Sequence, residues 1–193
     1  MNNEERVAMT EEELNIKRAN AVRFEEEGDA LLKQGNREEA TDRFRRSSNL
    51  RFILMLDNAE HENWDDFLRI TEKYCDLLKQ AGNYQKAELV STRILHCVLK
   101  VCKDKESFEY RKAYAKHMEL AGSVIRHVGR PNEAIRRYDY AAKLYELIGY
   151  TEKTEECRKL AEEIRSDPAS NEPDVNILAE LLNRVHSNRN EEN

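Results

Sequence analysis

The chain has 193 residues, 39% of them hydrophobic and 36% charged, with a mean hydropathy of -0.87. Six glycines and three prolines are too few for the tight turns of an all-β protein, which leaves an all-α chain. The net charge of -6 argues against a general nucleic-acid binder, and no apolar run approaches the ~20 residues a bilayer crossing needs.

Residues 1–10 are polar and acidic, lack the apolar core of a signal peptide, and read as a disordered N-terminus. The four cysteines therefore read as reduced thiols in a cytoplasmic protein without membrane insertion. Thr10 and Glu13 form a capping-box pattern that opens a helix over about 11–34. Leu14, Ala21, Phe24, Gly28 and Leu31 are its inward positions, and Gly35-Asn36 ends it. A second helix runs from Arg37 to about Asn58. Asn63 caps a third, from Trp64 to Gln80, and Gly82-Asn83 breaks it. Tyr84 to about Lys103 is the fourth helix. Asp104 caps a fifth, to about Val128, and Pro131 sits in the first turn of a sixth that ends at Gly149. The seventh spans about Glu152 to Arg165. Residues 166–174, with two prolines, read as a linker, 175–186 as a short C-terminal helix and 187–193 as a disordered tail.

The glycines carry a period. Gly35, Gly82 and Gly129 are 47 residues apart, as are Ala40, Ala87 and Ala134, and Leu31, Leu78 and Ile125. Gly28, Cys75 and Gly122 keep the same register with small residues. A small residue in the first helix of a pair allows close approach, the glycine seven residues on makes the turn, and the alanine is a second contact point. An aromatic follows four residues after the alanine in the outer copies (Phe44, Tyr138), with Ser91 in the middle one.

This pattern of small-8, large-11, Gly-15, Ala-20, aromatic-24 and small-27 resembles the tetratricopeptide repeat over about residues 20–148. The repeat is longer than that family's 34 residues, and Phe52, Leu99 and Glu146 stand where the family usually has proline. Thirteen extra residues, 47 less 34, add roughly 20 Å of helix and connector at ~1.5 Å per residue. The resemblance implies a right-handed stack of long antiparallel helix pairs over residues 11–165. It also implies a non-enzymatic scaffold or adaptor that binds a protein or peptide on its concave surface. Positions 2, 5, 9, 12 and 13 of each first helix tend to face that surface. They give candidate partner-binding residues Glu25, Asp29, Lys33, Glu72, Asp76, Lys79, Glu119, Ser123 and Arg126. Glu25, Glu72 and Glu119 form an acidic stripe suited to Lys or Arg of a bound segment. The family's clamp for acidic C-terminal tails normally has Lys and Asn where Glu25 and Asp29 stand, so no such tail is expected to bind.

Arg43, Arg45, Arg46 and Arg51, with Arg136 and Arg137 in the third copy, lie among aromatics and are candidate anion or nucleic-acid contacts. An RNA-associated scaffold is thus one alternative. A ligand-responsive regulatory oligomer is another, with the run Leu50–Leu56 as a core segment or a homodimer surface. No catalytic, metal or cofactor site is singled out. Cys97 and Cys102 would stand about 140° apart on a helix. None of the five histidines completes a Glu-x-x-His pair, and no phosphate-binding loop is present.

Overall fold

The structure is a computed structural model that describes residues 9–57, 61–101 and 104–168. Among these residues there are seven helices and no strand. They are α1 (Glu11–Lys33), α2 (Arg37–Asp57), α3 (His61–Gln80), α4 (Tyr84–Val101), α5 (Phe108–Arg126), α6 (Pro131–Leu147) and α7 (Thr151–Ser166). The expected N-terminal segment to residue 8, the linker beyond residue 168, the helix at 175–186 and the tail at 187–193 lie outside the described residues.

The capping box forms as the sequence predicts. The Glu13 backbone N–H donates to the Thr10 Oγ1 at 3.3 Å, and the Thr10 N–H donates to the Glu13 carboxylate at 2.9 Å. Two other helix starts differ from expectation. Asp104 does not cap α5: its carboxylate accepts from the Glu106 N–H at 2.9 Å, closing a turn, and the Ser107 hydroxyl then caps Tyr110. α3 begins at His61, so Asn63 lies inside its first turn instead of capping it. Short polar residues cost little in an opening helical turn, so a polar triplet does not by itself mark the start.

The chain divides into two compact units, Met1–Asn83 and Tyr84–Asn193. Consecutive helices pack against each other within each unit, α1 on α2 on α3 in one, and α4 on α5 on α6 on α7 in the other. The boundary falls at the Gly82-Asn83 turn, in the copy whose sequence has Ser91 in place of the aromatic.

The 47-residue register is a register of burial. Ala40, Ala87 and Ala134 are all fully buried, as are Cys75 and Phe44, and Ser91 and Tyr138 are nearly so. Gly35, Gly82 and Gly129 all take positive φ, at 82°, 70° and 76°, which suits a residue without a Cβ at a sharp turn. Gly149 repeats this at 76° between α6 and α7. In the first unit Phe44 lies over Gly28, and in the second Tyr138 lies over Gly122. The aromatic of the second helix thus occupies the space that the glycine of the first leaves open.

In the run Leu50–Leu56, Leu54 and Met55 are buried, Leu50, Phe52 and Ile53 are half-buried, with Phe52 5.7 Å from Phe67, and Leu56 is exposed. Among the described residues no helix is long and apolar enough to cross a membrane.

Candidate binding surfaces

Glu25, the first acid of the expected stripe, is turned into the first unit. Its Oε1 accepts from the Ser47 hydroxyl and the Arg51 Nε, both at 2.9 Å, and its Oε2 accepts from Arg69 at 2.8 Å. Arg51 and Arg69 also reach Asp66, at 2.5 Å and 3.0 Å. Two carboxylates and two guanidinium groups thereby join α1, α2 and α3, with Glu25 and Arg51 only 12% and 8% exposed. Beside them the Ser48 and Thr71 hydroxyls share a buried hydrogen bond of 2.8 Å. Lys73 pairs with Asp29 and stands 4.4 Å over the Phe44 ring.

Glu119 holds the same place two periods later and has the same kind of partners. It accepts from the Tyr145 hydroxyl and from Lys153, each at 3.0 Å, which joins α5, α6 and α7. Arg51 follows Glu25 by 26 residues, and Tyr145 follows Glu119 by 26, so the donor is a repeat position too. Hydrogen bonding to Glu156 and then Glu119, against the effect of burial, holds the Lys153 pKa well above the usual lysine value. Burial, with the Glu119 charge next, pushes the Tyr145 hydroxyl up. Tyr145, Lys153, Asp66 and Arg69 were not singled out from the sequence, although the 26-residue offset in two copies would have pointed to Tyr145.

The second copy is the part of the stripe that lines open space. A depression of about 540 Å³ in the first unit is lined by Leu32, Arg37, Arg69, Glu72, Lys73, Asp76, Leu77 and Gln80. Arg69, Glu72, Asp76 and Gln80 are positions 2, 5, 9 and 13 of the second copy, and Leu32 is position 12 of the first. Its floor belongs to the apolar cluster of Ala40, Phe44, Ile70 and Leu77, against which Leu31, Leu32 and Tyr74 pack. Asp76 and Gln80 are exposed at its rim, and Arg37 enters from the first turn of α2. Lys79 is 3.5 Å from Asp76. Lys33 is exposed at the end of α1. In the second unit Arg126 is exposed at the end of α5, and the Ser123 hydroxyl is spent on the Leu120 carbonyl at 2.8 Å.

The arginine clusters are largely committed within the chain. Arg45 and Arg46 both donate to Asp42, at 2.6 Å and 2.7 Å, and Arg43 pairs with Glu27 at 2.7 Å. The hydrogen bond from Arg45, opposed by some desolvation, holds the Asp42 carboxyl below the usual range. Arg137 pairs with Glu133 at 3.0 Å, and Arg51 is buried in the network above. Arg136 alone of the six is exposed with no ion pair among the described residues.

Cys75, Cys97 and Cys157 are buried, and desolvation pushes their thiols up to about 12, 11 and 12. Cys102 lies outside the described residues. Among the described residues no group of three His, Cys, Asp or Glu gathers where a metal could be held.

No family model matches the chain, and comparison with curated proteins gives no match. Among solved structures a chain titled "DHF58 filament" is similar at 18% identity and a TM-score of 0.43, covering 81% of this chain and 84% of that one.

Proposed function

We propose that the protein is a non-catalytic, tetratricopeptide-like helical scaffold that binds an extended segment of a partner protein. The observation that carries this reading is the depression between α1 and α3. Five of its eight lining residues, Leu32, Arg69, Glu72, Asp76 and Gln80, are repeat positions that the resemblance assigns to ligand contact, it has an apolar floor at Leu32 and Leu77, and its rim is polar. An apolar floor under a few convergent polar groups is the usual form of a binding site. With Glu25 and Asp29 engaged by Arg51, Arg69 and Lys73, the exposed carboxylate at the rim is Asp76, with Lys79 3.5 Å away. The bound segment presents a Lys or Arg to Asp76 and an apolar side chain to the floor.

The RNA-associated alternative is weaker, because five of the six candidate arginines already serve carboxylates of this chain. The test is selection of displayed peptides on the whole protein, followed by titration against Asp76→Lys/Gln80→Trp. Both residues are exposed, so the variant should fold. Selected peptides should carry Lys or Arg beside an apolar residue and should lose about tenfold or more in affinity on the variant. Peptides of no common chemistry, or unchanged affinity, would refute the reading.

A further inference from the structure

α4 buries one side and exposes the other cleanly. Ala87, Val90, Ile94, Leu95, Cys97 and Val98 are buried. The opposite arc carries Lys86, Leu89, Arg93, His96, Leu99 and Lys100, all exposed. Leu89 is 72% exposed, and Leu99, in the last turn of the helix, 39%. Lys86, Arg93 and Lys100 are seven residues apart, so they form a ridge along one edge of the arc, with Leu89 and His96 beside it. No Asp or Glu lies on the arc. The helix's own acid, Glu88, sits at its border and is held by Arg130. Lys86 and Lys100 have no ion-pair partner among the described residues. On a chain of net charge -6, an arc of α4 with no Asp or Glu of its own, cations in heptad spacing and exposed leucines is a local reversal of the protein's character.

We propose that this outer face of α4 docks an acidic, leucine-bearing helical segment of a partner protein. Cations seven residues apart match carboxylates seven residues apart on a facing helix, and Leu89 and Leu99 offer the apolar seam that such a pair buries. The ridge from Lys86 to Lys100 is about 21 Å long at ~1.5 Å per residue, which two to three heptads of a partner helix would cover. Two leucines are too little apolar surface for a helix that inserts into an anionic membrane, so a protein segment fits better than a lipid surface. This surface lies in the second unit and shares no residue with the α1–α3 depression of the first.

The probe is a labelled three-heptad peptide with Leu at its a and d positions and Glu at e and g, whose own carboxylates oppose self-pairing at neutral pH. Fluorescence anisotropy should detect its binding to the whole protein, while the matching Lys peptide should not bind. Because the protein as a whole is acidic, general charge attraction would favour the Lys peptide instead. Lys86→Glu/Arg93→Glu/Lys100→Glu and, separately, Leu89→Ser should each weaken binding of the Glu peptide by about tenfold or more. The milder Lys86→Gln/Lys100→Gln serves if circular dichroism shows that the charge reversal disturbs the helix. Failure of the Glu peptide to bind, equal binding of both peptides, or indifference to the variants would overturn the proposal. So would binding only to phosphatidylcholine–phosphatidylserine vesicles. Asp76→Lys/Gln80→Trp should leave this binding unchanged whether or not the depression is a site.

Discussion

A methyl group at Gly28 would stand 2.8 Å from the Phe44 Cζ, inside contact distance, and Phe44 is fully buried. Replacing a helical glycine by alanine gains about 1 kcal/mol of helix propensity, whereas overpacking a closed core costs about 1–3 kcal/mol. At Gly28 the clash should win, and Gly28→Ala should lower stability by about 1 kcal/mol in denaturant titration. At Gly122 the nearest atoms are the Tyr138 ring at 3.2 Å and the Arg137 Cβ at 3.3 Å. The two effects there nearly cancel, so Gly122→Ala should change stability by less than about 0.5 kcal/mol. His117 gives a second residue-scale prediction. It is 1% exposed, and burial, with the neighbouring Lys116 second, pushes its pKa down to about 3. The unfolded chain therefore takes up a proton near the ordinary value of about 6.5, while the folded chain does not. The stability from this residue is complete above pH 6.5 and declines as pH falls toward 3, by about 1.4 kcal/mol per unit. Between pH 7 and pH 5 the wild type should lose about 2 kcal/mol more stability than His117→Leu, measured by urea unfolding at both pH values.

At the scale of the helix, Glu25, Arg51, Asp66 and Arg69 decide how α1, α2 and α3 are tied. Removing one member of a buried ion pair leaves the other charge desolvated, which costs about 3–5 kcal/mol, whereas exposed pairs are worth about 0–1. Arg51→Ala should approach the first figure, because Arg51 and Glu25 are nearly buried. Asp42→Ala should stay within the second, because Arg45 and Arg46 are about half exposed. The helices themselves were legible in the sequence. The period of Gly35, Gly82 and Gly129 marks turns because a positive φ demands glycine, and the alanines five residues on mark close contacts because only a small side chain fits. The partners of the charged residues were not legible in the same way. Arg51 reads as one of a basic surface cluster until α3 supplies Asp66, fifteen residues on, and closes over it. The stripe of Glu25, Glu72 and Glu119 was legible as a repeat position. That its outer members face donors of their own units depends on Arg51 and Tyr145, whose side chains differ although their positions correspond. Asp104 failed as a cap for a local reason: Ser107 stands three residues later, and both residues can end a turn, so geometry and not composition chose between them.

At the scale of the molecule, the division at the Gly82-Asn83 turn predicts two separable unfolding steps when one unit is weakened. The only tryptophan, Trp64, is 7% exposed and lies 6.3 Å from Phe67 in the first unit. Its fluorescence therefore reports the first unit, while helical circular dichroism reports the helices of both units. Coincident transitions by the two probes are the mark of a single cooperative step. Repeat arrays keep that coincidence only while the coupling between neighbours exceeds the difference in their stabilities. Arg51→Ala should create such a difference. Its tryptophan transition should move to lower urea, while the circular dichroism curve should spread and retain a late component. Tyr145→Phe removes a hydrogen bond to the Glu119 carboxylate in the second unit, worth about 1.5–3 kcal/mol for a charged acceptor. It should do the reverse, with early loss of ellipticity and a tryptophan midpoint close to that of the wild type. If both probes shift together in both variants, the units unfold as one body, and the Gly82-Asn83 turn is not a boundary of cooperativity.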